Sequence, residues 1–131
     1  SQPGSDRQKP APLSADSEQM RMGANVYSAN CTACHNSDGK GIPHLAASLA
    51  DNPALMAPDA SSLITTVLQG GRGAVTHGNP TSGAMPPFAW KLSDKQVAAT
   101  MTYIRNSWGN AAPAVTEQDV AEKRALLKQP E

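Results

Sequence analysis

Aromatic side chains are nearly missing from this chain of 131 residues: they make up 4% of it, with a single phenylalanine. Leu, Ile and Val are scarce as well. The length suits one domain with tails rather than two domains. A core built only from these side chains would be thin, so a large apolar body that is not a side chain is expected to complete it. Charge of one sign is also lacking. Eleven basic and eleven acidic residues cancel, which leaves no footprint for nucleic acid or another polyanion. No apolar run approaches the ~20 residues that span a bilayer. No leader pattern is recognisable, and a chain opening on Ser1 reads as a mature or excised product.

Cysteine occurs only twice, and both copies fall in one pentapeptide, Cys31-Thr32-Ala33-Cys34-His35. The pattern C-x-x-C-H is the attachment site of a c-type haem. Two thiols at this spacing can add to the two vinyl groups of one porphyrin, and the adjacent imidazole can bond its iron. A thioredoxin-like redox pair needs a βαβ context that is missing here. Structural zinc wants four ligands, whereas His44 and His77 stand alone in separate segments. A Cys31–Cys34 disulfide would close a tiny strained loop and constrain little. One covalent haem also supplies the apolar bulk that the composition lacks.

Residues 1–15 are rich in Pro, Ser and charge and read as a flexible arm or linker. A helix is expected from about Asp16 to Asn30, in which Gly23 calls for a close helix crossing to justify it. Breakers Gly39, Gly41 and Pro43 mark a loop after His35, with a short helix around Leu45–Leu49. Asp59 is placed as N-cap of a helix over Ala60–Gln69, stopped by Gly70-Gly71. A long loop runs from Gly70 to Leu92. Ser93 and Gln96 spell a capping box for a final strong helix, whose face is Val97, Met101, Ile104 and Trp108. Residues 117–128 read as a further helix with only a partial stripe (Val120, Leu126, Leu127), a surface appendage or docking segment. No strand is convincing, so the class is all-α.

A second axial ligand would have to come from chain on the far side of the ring. Met85, in Gly-Ala-Met-Pro-Pro-Phe, is restricted by the prolines that follow it. Met101, Met20 and Met22 suit core roles. Spacing alone leaves Met56 in play, His77 is the rival nitrogen ligand, and an open sixth position is a further option.

Taken together, Gly23-x-x-x-Tyr27, C-x-x-C-H, Gly39-x-Gly41-x-Pro43, Met85-Pro86-Pro87 and a terminal helix with Tyr103 resemble the class I cytochrome c family over residues 16–110. Gly70–Gly73, Ala84–Phe88, Leu92–Asp94 and Tyr103–Asn110 are similar to haem domains in cytochrome subunits of bacterial dehydrogenases, such as quinoprotein alcohol dehydrogenases. The resemblance implies thioethers at Cys31 and Cys34, iron ligation by His35 and Met85, and N- and C-terminal helices crossing near Tyr103. It implies a Pro43 carbonyl bonded to His35 Nδ1, and Arg72 and Trp90 facing either the propionates or solvent. Such subunits often carry three haem motifs, and this chain carries one.

The expected function is that of a monohaem electron carrier, not an enzyme, working in the bacterial periplasm. Its donor would be a dehydrogenase and its acceptor a quinone pool or terminal oxidase. The tails suggest tethering to a larger, membrane-associated complex. The competing expectation is a ligand-binding or sensor haem domain with an open or labile sixth position. The haem domain is taken as residues 16–110, with 111–131 as a C-terminal extension.

Overall fold

A computed structural model describes residues 11–42, 47–72 and 84–128. Helix α1 spans Glu18–Asn30, starting one residue after Ser17, whose hydroxyl accepts from Met20 N at 3.2 Å. A single turn, α2 (Thr32–His35), follows directly. A 3₁₀ turn at Pro53–Met56 leads to α3 (Ser61–Gln69). Two-residue strands β1 (Gly71–Arg72) and β2 (Ala84–Met85) pair antiparallel, Gly71 opposite Met85. Helices α4 (Asp94–Ile104) and α5 (Glu117–Leu127) complete the chain. The fold is all-α apart from that short pair.

The α1/α4 crossing organises the core. A Cβ placed on Gly23 would lie 2.2 Å from Ala99 O and 2.6 Å from Tyr103 Cβ, so only glycine lets the backbones meet. Val97, Ala98, Met101 and Ile104 of α4 pack with Val26 and Tyr27 of α1 and with Ile64, Val67 and Leu68 of α3. The Ser93/Gln96 capping box is formed in both directions, which fixes where α4 begins.

Several expectations need correction. Residues 47–49 are not helical; Leu49 N donates to Gly39 O instead of to a carbonyl within its own turn. Asp59 acts one residue earlier than expected: its carboxylate accepts from the Ser61 hydroxyl and amide at 2.6 and 2.8 Å, and Ala60 takes the cap position. Those bonds hold Asp59 below the usual carboxylate range. Trp108 is not a fourth rung of α4, which stops at Ile104; it sits at φ 52° beyond the helix.

The segment after 110 also packs more deeply than an appendage. Val115 and Val120 are fully buried members of the core cluster. Thr102 Oγ1 accepts from Val115 N at 2.9 Å, and Gln19 Nε2 donates to Val115 O at 2.9 Å, tying the segment to both crossing helices. Of the arm, residues 1–10 lie outside the described residues, and Leu13 N donates to Asn106 Oδ1 at 3.1 Å.

Candidate functional site

Cys31 ends α1 and begins α2, so the two thiols and the imidazole share one compact turn: Cys31 N donates to Tyr27 O, and His35 N to Cys31 O at 2.9 Å. Both thiols are unlinked, with Cys31 half-buried and Cys34 exposed. Burial pushes the Cys31 thiol up to about 11, and the charge of Cys34 adds to the effect.

The loop after His35 closes on itself. Asn36 adopts φ 65° and its amide donates to Gly41 O, while Gly41 N returns to His35 O at 3.0 Å. Three aromatic rings then clamp this loop. Tyr27, Tyr103 and Trp108 pack with centroids 5.1–5.6 Å apart. Tyr27 hydroxyl donates to Asn36 O at 2.6 Å and Trp108 Nε1 to Ser37 O at 2.9 Å. Gly39, at φ 72°, has no room for a side chain, because a Cβ would stand 2.5 Å from the Trp108 ring.

His35 Nδ1 lies 2.9 Å from Ala47 O. A carbonyl only accepts, so Nδ1 is the donor, and in the neutral ring the lone pair is then on Nε2. This is the tautomer an iron ligand needs. The expected acceptor Pro43 lies outside the described residues, as do His44 and His77. Ala47 belongs to a segment pinned to the far end of α4. Asn110, buried, donates to Leu49 O (2.7 Å) and Ile104 O (2.9 Å) and accepts from Asn52 N (2.8 Å).

Met85 is half-buried against the core, in register with Gly71. Gly70, at φ 72°, lets α3 end flush against it; a Cβ there would sit 2.4 Å from Met85 O. The other methionines are engaged elsewhere. Met20 and Met101 are buried, Met22 packs on the core, and Met56 Sδ accepts from Ala111 N at 3.3 Å. Trp90 is 79% exposed; the Arg72 side chain lies outside the described residues.

Arg105, Asn110 and Trp108 are the positioning residues that sequence reasoning missed. Arg105 is 1% exposed and donates to Leu55 O and Pro113 O at 2.9 Å and to Ala57 O. Burial pulls its pKa down, against the charge of Asp119. A signal was present: Arg105, Asn106 and Asn110 crowd the end of an otherwise apolar helix face. Among the described residues no cluster of three or more His, Cys, Asp or Glu gathers to hold a metal ion. No helix there is long and apolar enough to cross a membrane.

Two cysteines and an imidazole on one turn, with His35 Nδ1 held by Ala47 O, fit haem and define a small helical domain for covalent haem. The cytochrome c family model matches residues 20–108. The chain belongs to the cytochrome c family, whose cofactor is covalently attached haem c and whose work is electron transfer rather than catalysis. It is 44% identical over 109 residues to the gluconate 2-dehydrogenase cytochrome c subunit of Pantoea cypripedii, covering 82% of this chain and 25% of that one. To the cytochrome c subunit of the quinone alcohol dehydrogenase of Gluconobacter oxydans it is 38% identical over 107 residues, covering 81% and 22%. The chain thus spans a quarter or less of the length of these relatives. Cytochrome cL of Methylophaga aminisulfidivorans shares the fold, with a TM-score of 0.51 at 20% identity over 88% of this chain and 70% of that one.

Proposed function

We propose that Cys31 and Cys34 carry the thioethers of one haem, that His35 Nε2 and Met85 Sδ are its axial ligands, and that the domain passes single electrons in the periplasm. The observation that carries this reading is the Ala47 carbonyl 2.9 Å from His35 Nδ1, which leaves Nε2 to face a metal. When bound, the haem supplies reversible one-electron exchange at iron. Methionine ligation and burial favour the reduced state and raise the potential. Two protein ligands leave the iron no vacant position, so a sensor or peroxidase role would require Met85 to leave.

Residues 16–110 form the haem unit in this reading, with 1–15 linking it to a larger membrane-associated assembly and 111–131 as a C-terminal extension. Relatives named as dehydrogenase cytochrome subunits support a dehydrogenase as donor; a quinone pool or terminal oxidase is the acceptor.

The test is optical. Ferric holoprotein is expected to show the weak charge-transfer band of methionine-bound iron at the red edge of the visible spectrum, and Met85→Leu to abolish it. High-spin signals and no band in the wild type would overturn the carrier in favour of a sensor with an open sixth position.

A further inference from the structure

Helix α5 lies beyond the stretch that the family model covers, yet its Arg124 reaches the turn that follows Met85. Its side chain is 17% exposed and donates three bonds. Nε meets Asp94 Oδ1 at 2.8 Å, one terminal nitrogen meets Ala89 O at 2.6 Å, and the other meets Leu92 O at 2.9 Å. A planar guanidinium can serve three acceptors in fixed directions, which an ammonium group does less well. On its other side the same turn hangs from the last carbonyls of α3, through Phe88 N to Val67 O and Ala89 N to Leu68 O at 3.0 and 3.1 Å.

Only Pro86 and Pro87 separate this turn from Met85. Their φ angles are set by their rings, and each restricts the residue before it, so Met85–Phe88 is a short stiff strut. At its near end the strut is fixed by pairing with Gly71 and by Gly70 against Met85 O. Where the thioether withdraws together with its backbone rather than by side-chain rotation alone, the strut swings and the 88–92 turn slips from α3 or from Arg124. Helix α5 does not depend on that grip for its own seat, because Val120 is buried and Val115 is bonded to Thr102 and Gln19.

We propose that Arg124 is a positioning residue for Met85: a strap from α5 that holds the 88–92 turn and so sets how readily Met85 yields its place to an incoming ligand. This rests on Met85 being the distal ligand. An external base competes with Met85 for ferric iron, and its apparent affinity scales with the fraction of time the thioether is displaced.

The experiment titrates ferric holoprotein with imidazole and follows the methionine band. Arg124→Gln is expected to bind imidazole about tenfold more tightly than wild type. Arg124→Lys, which keeps the charge but not the fork, falls between. Lys123→Gln, which removes a neighbouring charge of the same helix, leaves the affinity unchanged; a gain there equal to that of Arg124→Gln would reduce the effect to helix charge and overturn the proposal. Equal titrations of Arg124→Gln and wild type overturn it too, while Met85 as ligand stands. A band that survives Met85→Leu overturns the ligand reading itself, and the strap with it. Should Arg124→Gln fail to yield folded haem protein, Arg124→Lys decides by the same comparison with wild type.

Discussion

The helix crossing and the segments around His35 and Met85 are held by different forces. At the crossing, backbone meets backbone: Gly23 lies against Ala99 O with no flexible atom between them. Around His35 and Met85 there is little regular structure, and side chains hold the loops by donating to carbonyls: Tyr27 to Asn36, Trp108 to Ser37, Asn110 to Leu49 and Arg124 to Ala89 and Leu92. Close packing cannot yield by degrees, since the volume is either available or it is not. Hydrogen-bonded pins are separable, so each can be loosened without unfolding the rest. The crossing therefore fixes the fold, and the pins set the geometry of the site.

The contrast is broken most directly at the crossing. Gly23→Leu is expected to cost roughly 4 kcal/mol in a denaturant titration, because neither Ala99 O nor Tyr103 Cβ can move without shifting α4. A loss no larger than that of a single pin would erase the distinction. Next comes Arg105, a pin that is itself buried. Arg105→Met strips donors from Leu55, Ala57 and Pro113 carbonyls and is expected to cost about 3 kcal/mol. Asn110→Ala, with three bonds lost but a small side chain replaced, should cost about 2 kcal/mol. It should also alter the NMR signal of the His35 Nδ1 proton, because the 47–52 segment loses its tie to α4. An unchanged imidazole signal would separate Asn110 from the site.

The same division explains what could be read from sequence. Gly23 implied a close crossing because a glycine inside a helix needs a reason, the family resemblance placed that crossing near Tyr103, and backbone contact is the reason found. The Ser93/Gln96 box and the Gly70 stop were legible since caps are local. Helix α5 was legible as a helix but not in its packing: a stripe of Val120, Leu126 and Leu127 is weak, Leu126 is 58% exposed, and the seat depends on Val115 outside the helix. Trp108 continued the i, i+4 pattern of α4, and nothing in periodicity signals that a helix ends at Ile104. Acceptors such as Ala47 O, Ala89 O and Leu92 O leave no trace in sequence, because every residue has a carbonyl. Donors leave a trace, but which carbonyl they find is a property of the fold.

The smallest expected effect is the most informative about how the two regions join, since Tyr27 belongs to both. Its ring packs in the core cluster and its hydroxyl holds Asn36 O at 2.6 Å. Burial raises its pKa well above the ordinary value of about 10, with the charges of Cys31, Tyr103 and Asp38 adding to it. A thioether at Cys31 would carry no charge, and burial, the largest cause, would remain. In the unfolded chain Tyr27 loses its proton near pH 10. The folded chain keeps that proton to higher pH, so above pH 10 the unfolded state binds fewer protons and stability falls as pH rises. The contribution is complete below about pH 10 and is lost as pH climbs toward the folded value. Tyr27→Phe should therefore cost about 1 kcal/mol at neutral pH, the worth of one hydrogen bond, yet fall less steeply above pH 10, so that the two stability curves converge. Measured side by side, the other alkaline groups cancel. Parallel curves would mean that the hydroxyl is not buried in the folded protein, and that the clamp on Asn36 is looser than its 2.6 Å bond implies.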